Sequence, residues 1–177
     1  ANLLDVLLML HADHGGGNNS TFTNVVISST NTDIYSTICG SIGSLKGPRH
    51  GGANLKVSEM MDEVIALIGY TTDKAAVKSV IRKITGKELY DKSGLIYGFG
   101  HAVYTISDPR AELLRGFCEE VAKEQGKMKE FYFYRLFEEC VKEVIMEDKH
   151  RVIPTNVDYY SGFAYDMLRI PRELYTP

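Results

Sequence analysis

Residues 107–126 read SDPRAELLRGFCEEVAKEQG and contain every signal that defines a single α-helix. Asp108 is a residue type that caps helices, because its carboxylate accepts hydrogen bonds from the free N–H groups of the first turn. Pro109 follows at the first helical position, where its missing N–H removes no hydrogen bond. Gly126 comes directly after the charged last turn. The segment therefore predicts a helix that begins after Asp108 and ends near Lys123.

Signals of the same kind recur on both sides of this helix. Ser20, Asp33 and Asp73 each precede a stretch with apolar residues at helical spacing, and each is predicted to cap a helix. Helices are predicted over residues 1–10, 20–29, 33–45, about 55–68, 73–84, 130–147 and from about 156 to before 171, with a long loop over 93–107. Because alternating strand patterns are almost absent, the predicted fold class is all-α.

The composition excludes several classes of protein. The chain has 177 residues, of which 44% are hydrophobic and 24% are charged, so it is neither a disordered nor a low-complexity sequence. Its net charge of -3 gives no indication of a surface for nucleic acids or anionic membranes. No apolar run approaches the roughly 20 residues that cross a bilayer. We therefore expect neither nucleic acid nor a membrane among the partners.

The three cysteines, Cys39, Cys118 and Cys140, have no CxxC spacing. Each lies in a partly apolar helical context, and an odd number of cysteines does not indicate a disulfide framework. We predict buried, reduced thiols and hence a reducing compartment, the cytoplasm.

Four histidines lie in glycine-rich segments rather than on helix faces. His11 and His14 occur in HADHGGGN, His50 in GPRHGGAN and His101 in GFGHAVY. Glycine allows backbone and ligand to approach closely, and loops commonly hold binding and catalytic groups. A single such histidine is more often structural than catalytic. Three separate segments of this kind favour a functional interpretation.

Two other interpretations of these segments remain open. His11, Asp13 and His14 offer nitrogen and oxygen ligands to a metal ion, but no cysteine or acidic cluster completes the set, so no metal is predicted. GSLKGPRHGG and YGFG offer backbone N–H groups to a phosphate, although neither has the spacing of a nucleotide-binding loop.

Asp158 and Arg110 complete the set of candidate functional residues. Asp158 lies near the start of the last helix, where a carboxylate also complements the helix dipole without any further role. Arg110 lies in the first turn after Asp108, where a guanidinium can be aimed at a bound carboxylate or can form a surface salt bridge. The combination of several histidines, an aspartate and an arginine beside turns and helix starts favours a site.

Together, these segments resemble the citrate synthase family. HADHGGGN resembles its oxaloacetate-side histidine segment, GPRHGGAN and GFGHAVYTISDPRA its two catalytic-histidine motifs, and TNVDYYSG its catalytic-aspartate motif. The resemblance spans the chain and implies an all-α acyltransferase that condenses acetyl-CoA with oxaloacetate to citrate and CoA. It implies no cofactor besides the acetyl-CoA substrate, and it implies a homodimer. The related 2-methylcitrate synthase, which uses propionyl-CoA, citryl-CoA lyase and a non-catalytic interaction module of the same fold are the alternatives.

The resemblance also implies roles for individual residues. Asp158 is expected to remove a methyl proton, His50 to hydrogen-bond the thioester oxygen and His101 to protonate the ketone oxygen of the acceptor. His14 and Arg110 are expected to bind the acceptor. The expected CoA-binding residues are Leu95, Ile96, Gly98, Phe99, Gly100 and Asn156.

The chain departs from the family pattern at three positions. In family members an acidic residue often follows the HADH segment, whereas this chain has Gly15 there. Arg49 occupies a position where a leucine is common. Thr105 occupies a position where a Lys or Arg often helps to bind CoA phosphates.

The chain is also much shorter than family members. We expect residues 1–50 to be a remnant of a large helical domain, 51–165 a small catalytic domain and 166–177 the start of a return to the large domain. The 177 residues alone are expected to be weakly active or inactive.

Overall fold

The structure is a computed structural model that describes residues 2–12, 15, 17–47, 50–101 and 104–175. In these ranges it has eight α-helices and one short 3-10 helix. They are α1 (Asn2–Ala12), α2 (Asn19–Ser28), α3 (Ile34–Leu45), α4 (Ala53–Ile68), α5 (Lys74–Thr85), α6 (Pro109–Glu124), α7 (Met128–Lys149), α8 (Val157–Met167) and the 3-10 helix Arg172–Leu174. The one β pairing within these ranges is an isolated bridge between Phe99 and Thr155. The predicted all-α class is confirmed.

Three of the predicted helix caps are confirmed. The carboxylates of Asp33, Asp73 and Asp108 each accept a hydrogen bond from a backbone N–H group in the first turn of the helix that follows. These aspartates satisfy donors that have no partner inside the helix, which is why α3, α5 and α6 begin where they do.

The predicted cap of α2 is wrong. The capping residue is Asn18, whose side-chain oxygen accepts from the backbone N–H groups of Ser20 at 3.2 Å and Thr21 at 3.3 Å. Ser20 already lies inside the helix, and its hydroxyl donates to the same oxygen at 2.8 Å. An asparagine just before the first helical residue reaches two free donors at once, which a serine within the first turn cannot do.

Helix α7 extends beyond the predicted range of 130–147 at both ends. Its last residue is Lys149, and the capping residue His150 adopts the left-handed conformation with φ of 52° and donates its backbone N–H to the Met146 carbonyl oxygen. This conformation usually requires glycine or asparagine, so the sequence gives little indication of the helix end at this histidine.

The hydrophobic core is built around α8, which packs against α4 and α6. Tyr159, Tyr160 and Phe163 of α8 are buried. The Tyr159 hydroxyl donates to the Tyr134 carbonyl oxygen of α7 at 2.8 Å, so this buried phenol has a partner. Helices α5 and α7 extend the core with their own buried apolar residues.

An ion-pair ladder runs along the surface between α5 and α7. Its three rungs, each with a nitrogen–oxygen distance of 2.7 Å, are Lys74–Glu139, Lys78–Glu143 and Arg82–Glu147. Such pairs contribute roughly 0–1 kcal/mol each. The buried face of α5, with Val77 and Ile81, therefore dominates the packing.

Helices α2 and α3 pack against each other and expose an apolar face. The exposed apolar side chains of this α2–α3 face are Phe22, Val25, Val26, Ile34, Tyr35, Ile38 and Ile42. Cys39 is also exposed on α3, so the prediction that it is buried is wrong, whereas Cys118 and Cys140 are buried. Thr37 is the only buried residue of α3, so Cys39 shares the exposure of most of this helix.

No helix in the part of the chain that the structure describes is long and apolar enough to cross a membrane. The division into residues 1–50, 51–165 and 166–177 stays a prediction.

A pair of helical glycines offers a test of the core packing. In α8, a Cβ atom added at Gly162 lies 2.8 Å from Ser58 Oγ and 3.0 Å from the Asn54 carbonyl oxygen. We expect Gly162→Ala to lower the free energy of unfolding by about 1–3 kcal/mol, because α4 and α8 must separate. Gly116 of α6 has open space, so Gly116→Ala is expected to raise it by about 0.5–1 kcal/mol. Urea denaturation checks both values, and equal effects would contradict this packing.

Candidate active site

A short backbone pairing joins the His101 loop to the start of α8. Phe99 and Thr155 form the antiparallel bridge. On either side of it, the Asn156 N–H donates to the Gly98 carbonyl oxygen at 2.9 Å and the Gly100 N–H to the Pro154 carbonyl oxygen at 2.7 Å. The pairing places His101 close to the segment that carries Asp158.

Gly98 allows this loop to lie directly on the core. Its φ is +84°, and an added Cβ atom would lie 2.8 Å from the Cβ atom of Tyr159. Both the backbone conformation and the lack of space require glycine here. Gly98 therefore allows the loop to contact α8 directly.

His101, Arg110 and Asp108 form a connected cluster. The Arg110 guanidinium donates to both carboxylate oxygens of Asp108, at 3.1 Å from Nε and 2.9 Å from Nη2. Nη2 also lies 3.3 Å from Nε2 of His101. Asp108 is fully buried. Because a bidentate hydrogen bond fixes the plane of the guanidinium, Asp108 orients Arg110 toward His101.

The tautomer of His101 follows from its backbone contact. Nδ1 accepts a hydrogen bond from the Tyr104 N–H at 3.0 Å. A neutral imidazole has one accepting nitrogen, and the contact at Nδ1 is the shorter of the two, so we assign the proton to Nε2. The 3.3 Å approach of Arg110 Nη2 to Nε2 is then a contact between two donors and not a hydrogen bond. The Nε2–H of His101 and the Nη2–H groups of Arg110 are then neighbouring donors, an arrangement that suits a shared oxygen of a bound molecule.

Asp158 lies in the first turn of α8, whose cap is Asn156. The Asn156 side chain accepts from the Asp158 N–H at 3.1 Å and donates to the Gly100 carbonyl oxygen at 3.0 Å. Burial raises the pKa of Asp158 to about 6, with the Arg110 charge opposing the rise and the Asp108 charge adding to it. A carboxyl group with a raised pKa beside fixed charges is typical of a functional acid or base.

His50 and His14 belong to other segments. Nε2 of His50 accepts from the Ser20 N–H at 3.2 Å and lies 3.0 Å from Ser20 Oγ, at the start of α2. These contacts do not join it to His101 or Asp158, so its place beside them stays a prediction. His14 lies outside the described residues, as do Asp13 and Arg49.

His11 is held by α1. Its Nδ1 donates to the Leu7 carbonyl oxygen at 2.8 Å, and burial lowers its pKa. The metal interpretation of His11 depended on Asp13 and His14, which are not described. Within the described ranges, no three His, Cys, Asp or Glu residues are grouped so that they could hold a metal ion.

A cavity of about 290 Å³ lies beside the His101 loop. Four of the residues expected to bind CoA line it, namely Leu95, Ile96, Phe99 and Gly100. Gly98 is buried where the loop meets α8, and Asn156 contacts the loop from the side of α8. The cavity thus joins most of the expected CoA residues to the cluster around His101.

Two cationic residues of this cavity were not predicted from the sequence. Lys149 and Arg151 line it together with Thr105, the position where a basic residue was expected. The only sequence signal was the basic run Lys149-His150-Arg151 at the end of α7. Nothing local in that run indicates that it lies at the same cavity as the loop that leads into His101.

A family model described as the citrate synthase C-terminal domain matches residues 1–177. The chain belongs to the citrate synthase family. The citrate synthase of Deinococcus radiodurans is 44% identical over 177 residues, covering 100% of this chain and 43% of that relative. The 2-methylcitrate synthase of Shewanella oneidensis is 36% identical over 176 residues, covering 99% of this chain and 42% of that relative. The resemblance drawn from the motifs is confirmed.

Solved citrate synthase structures share the fold. A ternary complex of the Thermoplasma acidophilum citrate synthase with carboxymethyl coenzyme A and oxaloacetate has a TM-score of 0.74 at 27% identity. The match covers 98% of this chain and 43% of that one. The chain spans less than half the length of these citrate synthase relatives.

The raised pKa of Asp158 predicts a pH-dependent effect on the stability of this member of the citrate synthase family. Between its ordinary pKa of 3.8 and about 6, the folded state binds more protons than the unfolded state, so stability falls as pH rises through this range. Ionised Asp158 costs the fold about 2–3 kcal/mol at pH 8. The helix dipole, at about 0.3–1 kcal/mol, only partly offsets this cost.

We therefore expect Asp158→Asn to stabilise the protein at pH 8 and to have little effect near pH 4. Urea denaturation at the two pH values measures the difference. Loss of stability at pH 8 on this substitution would show that the ionised carboxylate is favourably held.

Proposed function

We propose that the protein containing this chain condenses acetyl-CoA with oxaloacetate to give citrate and free CoA. The observation that supports this most directly is that Asp158, whose pKa is raised to about 6, interacts electrostatically with Arg110, and that the Arg110 guanidinium lies 3.3 Å from Nε2 of His101. A base next to paired donors is what the deprotonation of a weak carbon acid and its addition to a ketone require.

Asp158 is the proposed base on the acyl-CoA side. Its raised pKa makes its carboxylate a stronger proton acceptor than an ordinary aspartate, while about 90% of it is still ionised near pH 7. It removes a proton from the methyl carbon, and the electron pair moves onto the thioester oxygen. The proposed role of His50 is to donate a hydrogen bond to that oxygen, which stabilises the enol or enolate.

His101 and Arg110 act on the acceptor in this proposal. The enol carbon forms a carbon–carbon bond with the ketone carbon, and the ketone oxygen takes the Nε2 proton of His101. Arg110, oriented by Asp108, pairs with a carboxylate of oxaloacetate. His14 is proposed as a further acceptor contact. Water then cleaves the thioester of the citryl-CoA product and releases CoA, so that no cofactor is consumed.

The cavity beside the His101 loop is the proposed CoA site. Leu95, Ile96 and Phe99 offer apolar surface, while Lys149 and Arg151 offer positive charge for phosphate groups. These two cations compensate for Thr105, which carries no charge. Asn156 and Gly98 contribute by shaping the loop rather than by lining the cavity.

The length of the acyl group is the main alternative within this function. The similarity to a 2-methylcitrate synthase supports propionyl-CoA as a second candidate substrate. A non-catalytic interaction module is the alternative from another class, and the presence of His50, His101 and Asp158 together argues against it.

We also propose that the 177 residues alone turn over weakly, because the relatives named citrate synthase are more than twice as long. The free thiols of Cys118 and Cys140 support the proposed cytoplasmic location.

A homodimer that buries the α2–α3 face is part of the proposal. Exposed apolar side chains such as Tyr35 and Ile38 gain about 25 cal/mol per Å² when they are covered. We expect the protein to sediment as a dimer and Ile38→Asp to shift it toward monomer. Leu67→Asp, which changes an exposed leucine on α4, is the matched control and is expected to leave the dimer intact. A wild-type monomer at high concentration would contradict the proposal.

The proposed reaction is tested with Asp158→Asn in the longest natural protein that contains this chain. We expect the variant to lose at least about 100-fold in thiol release with oxaloacetate and in exchange of the acetyl-CoA methyl hydrogens with D₂O, because the base is absent. Parallel assays with propionyl-CoA identify the preferred acyl group.

Arg151→Met is the matched comparison for the CoA site. We expect it to raise the KM for acetyl-CoA without changing the KM for oxaloacetate, because it removes one cation of the cavity. Full turnover by Asp158→Asn would overturn the assignment of the base. Absence of turnover and methyl exchange in the wild-type protein with either acyl-CoA would overturn the function.

A further inference from the structure

Glu138 of α7 is a buried carboxylate with no assigned role. It is 4% exposed and accepts three hydrogen bonds. Lys142 Nζ and Thr155 Oγ1 donate to Oε1 at 2.6 and 2.7 Å, and the Tyr160 hydroxyl donates to Oε2 at 2.5 Å. Both oxygens of this buried carboxylate therefore have donors, and its position is well determined.

Two of these donors lie on either side of Asp158 in the sequence. Thr155 precedes it by three residues and Tyr160 follows it by two, and both are buried. Each binds a different oxygen of Glu138. One carboxylate therefore holds both ends of the segment that carries Asp158.

The hydrogen bond between Thr155 and Glu138 also links Glu138 to the His101 loop. Thr155 is the residue that forms the bridge with Phe99, and the bonds from Gly100 to Pro154 and from Asn156 to Gly98 lie on either side of it. Because Thr155 pairs with Phe99, a shift of Thr155 would also displace the loop that leads into His101. Glu138 thus lies at the base of the backbone pairing that connects His101 to Asp158.

Glu138 is held in its charged form. Burial alone would raise the pKa of Glu138, but hydrogen bonds from Lys142, Tyr160 and Thr155 outweigh it and keep the pKa below its ordinary value. Hydrogen bonds to an ionised acceptor are about twice as strong as those between neutral groups. The contacts to Thr155 and Tyr160 are therefore stronger than a glutamine in the same place could provide.

We propose that Glu138 is a positioning residue of the site, whose carboxylate holds Thr155 and Tyr160 and thereby fixes Asp158 relative to His101. The effect on turnover rests on the proposed function. The effect on the backbone pairing depends only on the contacts described above.

The kinetic test compares Glu138→Gln with Glu139→Gln in the longest natural protein that contains this chain. Glu139 is the neighbouring residue on the exposed face of α7, where it pairs with Lys74. We expect Glu138→Gln to lower kcat by roughly 10- to 100-fold because the reacting groups are misplaced. A smaller rise in the KM for acetyl-CoA is expected beside it, because the loop with Phe99 also lines the proposed CoA site. Glu139→Gln is expected to behave as the wild type.

Two further variants keep the proposal testable if Glu138→Gln does not fold. Tyr160→Phe and Thr155→Val each remove one contact and leave the carboxylate in place. Each is expected to lower kcat, by less than Glu138→Gln. Unchanged kcat in both would overturn the proposal, as would a loss that appears only as a higher KM.

Amide hydrogen exchange gives a readout that does not depend on activity. The Gly100 and Asn156 N–H groups donate across the backbone pairing. We expect them to exchange faster in Tyr160→Phe and Glu138→Gln than in Glu139→Gln, and equal rates would overturn the positioning role. If the wild-type protein shows no turnover with either acyl-CoA, the proposed function fails, whereas the exchange rates still decide the role of Glu138.

Discussion

The pairing of residues 98–100 with 154–156 is the constraint on which the arrangement of the site depends. It joins two segments more than 50 residues apart, one that leads into His101 and one that leads into Asp158. Apart from this bridge, residues 94–100 have no regular secondary structure of their own, so their position comes from the core beneath them. Tyr159 supplies that surface, and Gly98 allows the loop to lie against it. The site is therefore an extension of the core packing of α8.

The partly buried Asp158 and the buried Glu138, two carboxylates near this pairing, have opposite properties. Asp158 has a raised pKa because burial dominates its environment, whereas Glu138 has a lowered pKa because its hydrogen bonds outweigh burial. The first is suited to exchange a proton, and the second is suited to remain charged. Their surroundings differ chiefly in the number of donors. Side-chain hydroxyl and ammonium groups surround Glu138, while a nearby guanidinium only partly compensates Asp158.

The features that could be predicted from the sequence are those that depend on local chemistry. The caps at Asp33, Asp73 and Asp108 require only the first turn of each helix, and the motifs around His50, His101 and Asp158 are contiguous. The sequence does not single out the α2 cap at Asn18, because three consecutive residues of cap-forming type, Asn18, Asn19 and Ser20, stand there. The bridge at Phe99, the cations Lys149 and Arg151 in the cavity and the contacts of Glu138 all join distant segments. Neither hydrophobic periodicity nor local propensity indicates contacts between segments that are distant in the sequence.

The ladder between α5 and α7 has a consequence for how these helices find their alignment. Its rungs repeat every four residues on both helices, and Lys74 already contacts Glu143 as well as Glu139. If α5 slid by one helical turn, or about 5.4 Å, most charges would find an equivalent partner. The ion pairs of the ladder therefore differ little in energy between the two alignments. The shapes of buried side chains such as Val77 and Ile81 must discriminate between the registers, while the charges hold the two helices side by side in any of them.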